Sequence, residues 1–279
     1  MKISVLPAFA LLLSPAAPAQ TPTTPPPSVA KDIQIDIQSP IKTEGAVSVA
    51  DEPHYAHIFQ NGYVRVYNMT VPPLDATLLH RHDLPYLYVT LGQADIVDAV
   101  EGKPPAHVTL EDGATRYSPG GFADIVRTDA GIAFHNITVA LIHPQDSPHN
   151  LGAGGDARPL GSCPQITAIP SQNDQIPFEQ VVPCFETSEV RMDLVKVGGG
   201  KDYVQATPET AALLVAMSNA NLDVSLGGQH AAFLHAGDVL WLSAGTARKV
   251  VDFLGTGSNF LLISFEDSAA APAAKSPRP

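Results

Sequence analysis

The chain has 279 residues, with 28 Asp and Glu against 16 Lys and Arg, so its formal net charge is −12 at neutral pH. A surface of this sign repels phosphate backbones and anionic lipids, and no cluster of Lys or Arg interrupts it, which excludes nucleic acid as an expected partner. The 26 Pro, the 21 Gly and a charged fraction of only 16% indicate a turn-rich, all-β protein.

Residues 1–19 predict a secretory signal peptide. Lys2 precedes an apolar run from Ile3 to Leu13, and the small residues Ala17-Pro18-Ala19 predict cleavage after Ala19. The apolar run is shorter than the ~20 residues of a membrane span, and no other segment approaches that length. We therefore expect an exported protein, secreted or periplasmic, without a membrane span. Residues 20–44 form a Pro-rich linker and N-terminal arm, and its first part, Gln20–Ser28, and the tail 269–279 have compositions typical of disorder.

Short apolar or alternating runs, separated by Gly, Pro, Asn and Asp, fill the rest of the chain and predict strands and turns. In the first half the predicted strands are Ile33–Ile37, Ala56–Phe59, Val64–Val71, Tyr86–Thr90, Asp95–Val100, Ala123–Arg127 and Asn136–His143. Periodicity is lost from Gly152 to Pro183. Beyond it the predicted strands are Glu189–Val197, Ala211–Met217, Asp223–Leu226, His230–Leu234, Val239–Leu242, Arg248–Phe253 and Phe260–Phe265.

His80 and His82 are candidate metal ligands on the first half of the chain. They are separated by one residue and lie among residues of high strand propensity, so a strand period of two points both imidazoles to one face. Two imidazoles on one face suit a transition metal, which would need further ligands from elsewhere. Such a site would lose its metal as falling pH protonates imidazole. The alternative is a pair of exposed histidines beside Arg81.

The surroundings of this pair resemble the two sequence motifs of the cupin superfamily, small β-barrels of the jelly-roll type. The first motif runs Gly, His-x-His, then Glu three or four residues on, then Gly. In this chain it reads His80, Arg81, His82, then Tyr86 or Leu87 at the Glu position, then Gly92. The second motif runs Gly, five residues, Pro-x-Gly, two residues, His. Its counterparts are Gly113, Pro119 and Gly121, with Asp124 at the His position.

An internal repeat extends the resemblance to the second half. A shift of 126 residues places Ala212–Met217 on Tyr86–Leu91, and a shift of 124 places Gly237 on Gly113 and Arg248 on Asp124. This order resembles a bicupin, so the fold class is all-β with two jelly-roll (cupin) β-barrels in one chain, over residues 45–150 and 186–268. The overlay puts Ala206 and Pro208 at the His positions. The second barrel is therefore expected to be degenerate and structural, able at most to hold an anion through its Arg.

Cys163 and Cys184 are the only cysteines, and they lie 21 residues apart in the connector predicted over residues 151–185. Behind a signal peptide, an even count of cysteines predicts a disulfide. A metal pair is the alternative, but neither C-x-x-C spacing nor a nearby His supports it. The disulfide would stabilise the fold by roughly 3 kcal/mol on the chain-entropy argument.

The resemblance also suggests roles around the histidines. Asp124 is the candidate third ligand, since two His and one carboxylate resemble the open facial set of non-haem iron sites; its alternative role is a hydrogen bond to a turn. Tyr86 and Tyr88, two residues apart, are expected to face the same way and line the barrel, although packing alone is the alternative for at least one. His57 is a further lining candidate, from a segment expected to fold over the barrel.

We therefore predict an exported bicupin metalloprotein with one mononuclear site in the N-terminal barrel, for one divalent Fe, Cu, Zn, Mn or Ni ion. The resemblance implies dioxygenase-like or copper-dependent oxidative chemistry on a small molecule or sugar, without indicating which residues are catalytic. The alternative is a non-catalytic ligand- or carbohydrate-binding module, which the missing Glu and His favour. A homodimer is compatible with both. The sequence contains no Gly-rich phosphate loop, nucleophile elbow or H-E-x-x-H motif.

Overall fold

The computed structural model describes residues 45–129, 131–164 and 178–266. The predicted signal peptide, the N-terminal arm with its strand Ile33–Ile37, and the tail 269–279 lie outside these ranges. Strands dominate the described residues, beside two 3-10 turns at Val49–Asp51 and Gly155–Ala157. Within the described ranges, no helix has the length and apolar character that crossing a membrane requires.

The first barrel consists of two sheets that enclose an apolar interior. Its strands, numbered in chain order, are β1 (Val47–Ser48), β2 (Tyr55–Gln60), β3 (Val64–Val71), β4 (His80–His82), β5 (Tyr86–Thr90), β6 (Ala94–Val100), β7 (Ala106–Leu110), β8 (Thr115–Ser118), β9 (Phe122–Thr128) and β10 (Phe134–Leu141). The sheet orders are β1-β4-β9-β6-β7 and β2-β3-β10-β5-β8. Tyr67 and Met69 of one sheet pack against Ile96 and Val126 of the other, which closes the interior.

The second barrel repeats this arrangement. Its strands are β11 (His149–Asn150), β12 (Phe178–Glu186), β13 (Val190–Gly198), β14 (Asp202–Gln205), β15 (Ala211–Ala216), β16 (Asn221–Leu226), β17 (Gln229–His235), β18 (Val239–Leu242), β19 (Arg248–Asp252) and β20 (Ser258–Phe265). The sheet orders are β14-β19-β16-β17 and β11-β12-β13-β20-β15-β18. Apart from the added strands β1 and β11, the two barrels have the same strand order in both sheets. Topology therefore supports the internal repeat that the sequence predicted.

The two barrels share a core. Val66, Leu87 and Ile137 of the first barrel and Leu213 and Ile263 of the second belong to one cluster of buried side chains. The neighbours of these residues along each strand, such as Tyr67 and Leu214, face the barrel interiors. Strands buried on both faces are expected to be continuously apolar, as β15 is.

The predicted connector over residues 151–185 is too long, because β12 already begins at Phe178 and pairs with β13. The pairing register shifts between Pro183 and Phe185, and Pro is tolerated in a strand at such a bulge because it has no N–H to donate. Pro183 interrupts the alternation that marks a strand in sequence, which explains the error. Also, β11 lies within the predicted first domain but pairs with β12 of the second barrel.

The predicted disulfide between Cys163 and Cys184 is confirmed. Cys184 lies on β12 and is fully buried in the shared core, and Cys163 packs against the same cluster. The bond therefore ties the loop after β11 to the junction of the two barrels.

Candidate metal centre

The short strand β4 carries both candidate histidines into the interior of the first barrel. It pairs with β1 on one side and with β9 on the other, where His80 lies opposite Asp124. Residues directly opposite each other on paired strands share a face, and His82 follows two positions later on that same face. The structure thus brings His80, His82 and Asp124 together, and all three are buried.

The ligand atoms of these residues converge. The Nε2 atoms of His80 and His82 are 3.2 Å apart, and Asp124 Oδ1 lies 3.4 Å from the first and 3.8 Å from the second. Two ligands bound to zinc at 2.0–2.1 Å and at a tetrahedral angle are separated by about 3.3 Å. The spacing therefore fits a metal ion. Among the residues that the structure describes, this is the one such group of His, Cys, Asp or Glu.

Hydrogen bonding orients the site and leaves one atom without a partner. His80 Nδ1 donates to the carbonyl of Leu78 at 2.9 Å, which leaves the Nε2 lone pair directed at the cluster. Asp124 Oδ1 is buried and accepts no hydrogen bond. A buried acceptor without a partner is costly and rare in folded proteins, so this oxygen fits the role of a ligand to a cation.

Electrostatics disfavour the charged forms of the three side chains in this cluster. Burial lowers the pKa of His80, and burial together with the neighbouring His80 lowers the pKa of His82 to about 3. Burial also raises the pKa of the Asp124 carboxyl well above its usual range, and the charge of Asp98 adds to that rise. A cation between the three would reverse the effect on Asp124, because it stabilises the carboxylate.

A buried carboxylate supports the ligand strand from behind. Glu52, 2% exposed, accepts hydrogen bonds from the backbone N–H of Leu78 at 3.2 Å and from His54 Nδ1 at 2.8 Å. The carbonyl of Leu78 in turn accepts from His80. This chain of bonds fixes the backbone that holds the first ligand, as outer-shell partners of metal ligands commonly do.

Tyrosines surround the histidines. Tyr86, at the position where the cupin motif has Glu, stacks on His82 with ring centroids 4.3 Å apart. Tyr88 packs, partly buried, against the interior cluster of the same barrel, so both predicted tyrosines face inward. Tyr55 on β2 was not predicted; its hydroxyl lies 3.2 Å from His80 Nε2. Its signal in the sequence was its place two residues before His57, on the same face of a strand.

His57 does not line the site. It is exposed, on the edge strand of its sheet, and its ring packs against that of Tyr67 with centroids 5.7 Å apart. The strand pairing shifts just after it, between His57 and Phe59, so this end of β2 leaves the barrel interior. Tyr55 takes the place that the sequence assigned to His57.

A second acid was also missed. Asp98 on β6 shares its face with Ile96, which belongs to the interior cluster, and its Oδ1 is buried without a hydrogen-bond partner. Burial raises its pKa to about 6. The alternation of β6 was the available signal, because it places Asp98 on the same face as an apolar residue.

An opening of about 50 Å³ reaches His82. It has room for a few water molecules. Arg65, Arg81 and Asp83 are among its lining residues, and Arg81 Nη2 lies 3.5 Å from Glu101 Oε2.

No protein-family model matches the sequence, and no curated protein matches it. Solved structures do match. AerE from Microcystis aeruginosa has a TM-score of 0.52 at 10% identity, over 77% of this chain and 99% of that one. A salicylate 1,2-dioxygenase from Pseudaminobacter salicylatoxidans has a TM-score of 0.51 at 11% identity, over 75% of each chain. A cupin 2 conserved barrel domain protein from Leptotrichia buccalis has a TM-score of 0.48 at 10% identity, over 78% and 90%. Likeness at such low identity concerns the fold alone.

Proposed function

We propose that this chain, which has the bicupin fold, is an exported metalloprotein that performs oxidative chemistry on a small molecule. His80, His82 and Asp124 of the first barrel would hold one divalent transition metal ion. The observation that carries the proposal is the buried Asp124 Oδ1, which has no hydrogen-bond partner and lies 3.4 and 3.8 Å from two imidazole nitrogens. A cation among these atoms would satisfy the carboxylate and both lone pairs at once.

The donor set narrows the choice of ion. Two imidazoles and one carboxylate suit Fe, Mn, Zn, Cu or Ni, and hard ions such as Mg²⁺ or Ca²⁺ prefer sites made of oxygen alone. Three protein ligands leave coordination positions for water, dioxygen or substrate. A bound ion of this kind would supply a Lewis acid and, if it is iron or copper, a redox partner for dioxygen.

The protein's own residues prepare the site for such a reaction. The Tyr86 ring, stacked on His82, holds that imidazole in place. Burial raises the pKa of the Tyr55 phenol well above its usual value, so this hydroxyl stays protonated at neutral pH and can donate a hydrogen bond to a molecule bound beside His80. The apolar interior formed with Met69 and Val126 keeps bulk water away from these groups.

The opening limits the size of a substrate. Its volume of about 50 Å³ has room for a few water molecules, which disfavours an oligosaccharide and admits a small organic acid only if the opening widens. Arg65 and Arg81 line it, but Asp83 lines it too and Arg81 pairs with Glu101, so the lining charges do not select an anion. The similarity in fold to a salicylate 1,2-dioxygenase is consistent with a small organic acid as the substrate class.

A non-catalytic binding module is the second candidate. The observation that favours it is the ligand count, because the cupin Glu and the third cupin His are replaced here by Tyr86 or Leu87 and by Asp124. A site with fewer ligands could hold a metal that only binds a carboxylate-bearing molecule.

Oxygen uptake separates the two candidates. Protein loaded anaerobically with Fe(II) would be exposed to oxygenated buffer with salicylate, gentisate and a set of monosaccharides. We expect substrate-dependent oxygen uptake with an acid, lost in His80→Ala and retained in His107→Ala, which replaces an exposed histidine of β7. Binding of an acid without oxygen uptake would favour the binding module. If neither binding nor uptake differs between wild type and His80→Ala, the proposed function is wrong.

A further inference from the structure

Arg248 lies inside the second barrel and has no counterion among the residues that the structure describes. The residue is 2% exposed and stands at the start of β19, two positions before Val250 of the barrel's apolar core. Its Nε donates to Gln205 Oε1, but its Nη1 is buried and has no hydrogen-bond partner. No carboxylate of the described residues forms an ion pair with it, although carboxylates pair with Arg191 and Lys249 in the same barrel.

A buried guanidinium in this state is energetically unfavourable. Arginine does not lose its proton in proteins, so it cannot escape the cost of burial by becoming neutral. An uncompensated buried charge, and a buried donor without an acceptor, each destabilise the fold. The unpaired Nη1 edge of Arg248 therefore points to an anion that completes the site.

Strand pairing shows that Arg248 occupies the counterpart of the metal cluster. In the first barrel β4 pairs with β9, and His80 lies opposite Asp124; in the second, β14 pairs with β19, and Gln205 lies opposite Arg248. The sequence overlay had placed His80 on Ala206, one residue away from this register. Both barrels thus have a polar pair at this position. In the first barrel the pair is the acid Asp124 beside the imidazole of His80, and in the second it is the cation Arg248 beside the neutral amide of Gln205.

We propose that the second barrel binds a small carboxylate-bearing anion through Arg248 and Gln205. A planar guanidinium matches a carboxylate better than it matches a spherical ion, because two parallel N–H groups can bind the two oxygens. The amide of Gln205 accepts from Arg248 through its oxygen, which leaves its NH₂ group as a second, neutral donor. Gln205 is partly exposed, so the site is reached from its side.

The ligand must be small. Tyr203, Leu222, Val250 and Leu262 belong to the packed interior cluster of the same barrel, so we expect an anion with at most a short apolar part. Acetate is therefore the probe of choice. The site is independent of the proposed metal centre, so each proposal can fail without the other.

Thermal unfolding in the presence of acetate tests the proposal. At a fixed ionic strength maintained with sodium chloride, we expect acetate to raise the unfolding temperature of the wild type with saturation, by about 2–4 °C at tenfold excess over its dissociation constant. Arg248→Met should show no acetate response. Without acetate it should unfold at or above the wild-type temperature, because the unpaired buried charge is gone. Arg191→Met removes a partly exposed arginine of the same barrel and should respond as the wild type does.

Several results would overturn the proposal. An equal acetate response in wild type and Arg248→Met would mean a general salt effect. No response in wild type, with Arg248→Met less stable in every buffer, would make the arginine purely structural. A saturable response to chloride alone, measured against sodium fluoride, would mean a halide site. If Arg248→Met does not fold, Gln205→Leu and wild type are compared by NMR with ¹³C-acetate. Saturable broadening should then appear in wild type and be weakened in the variant, and its absence in wild type refutes the proposal.

Discussion

Asp98→Asn should stabilise the protein at neutral pH by an amount that the structure allows us to work out. Asp98 is largely buried inside the first barrel, its Oδ1 has no partner, and burial raises its pKa from 3.8 to about 6. This difference of about 2 pH units corresponds to a penalty on the order of 3 kcal/mol when the carboxylate is ionised in the fold. Asparagine has nearly the same shape without the charge, so the substitution removes the penalty.

The pH dependence distinguishes this reasoning from a general effect of the substitution. The folded pKa is raised, so the penalty is fully present above about pH 6, declines as pH falls, and is gone below the unfolded value of 3.8. Urea unfolding of chelator-treated protein at pH 8 and at pH 4 should therefore show a large difference between variant and wild type only at pH 8. Metal is removed because a cation nearby would offset the penalty.

Asp83→Asn is the matched control, because Asp83 is an exposed aspartate of the same barrel. Its effect should stay within about 0.5 kcal/mol at both pH values. A destabilised Asp98→Asn protein at pH 8, or a gain of equal size at pH 4, would refute the argument from burial. The first result would mean that the Asp98 carboxylate has a stabilising partner in the fold, and the second that the gain does not come from removing its charge.

Three other predictions concern the disulfide, the metal site and a turn. Replacing both cysteines by serine should lower the free energy of unfolding by roughly 3 kcal/mol, measured by urea unfolding with and without reductant; an unchanged wild type in reductant would contradict it. Metal affinity should rise with pH, because burial raises the pKa of Asp124 and a proton on that carboxyl competes with the cation. Calorimetry in buffers of different ionisation enthalpy measures the protons released, and an affinity independent of pH would contradict the prediction. Gly120→Ala should destabilise by about 2 kcal/mol or more, because the new Cβ would lie 2.2 Å from the carbonyl oxygen of Leu84 at a φ of +68°. Gly121→Ala carries only the left-handed φ of +80° and should cost less in the same unfolding assay.

Much of the fold was predictable where a strand is apolar and its ends are marked by turn residues. The strands Val64–Val71, Tyr86–Thr90 and Val239–Leu242 were predicted to the residue. Short or polar strands were missed, as with β7 (Ala106–Leu110) and β14 (Asp202–Gln205). These segments are short and mix polar with apolar residues, and each pairs with a neighbouring strand, which a local pattern does not reveal.

The residues of the candidate site were likewise predicted only in part. The motif spacing pointed to His80, His82 and Asp124, and the structure brings them together because β4 and β9 are adjacent in the sheet. Tyr55 and Asp98 reach the same interior from other strands. Their positions depend on the pairing register of their strands and on which end of an edge strand turns away from the barrel interior. Motif spacing along the chain gives neither of these.

Elemental analysis of the purified protein tests the proposed metal centre most directly. The protein would be isolated without chelators from its native host, together with His80→Ala and the exposed-site control His107→Ala. We predict about one transition metal ion per chain in wild type and control, and almost none in His80→Ala, since three ligands leave no surplus to compensate for a lost one. Metal-free wild type that also fails to take up Fe, Cu, Zn, Mn or Ni in vitro, or an undiminished metal content in His80→Ala, would contradict the proposal.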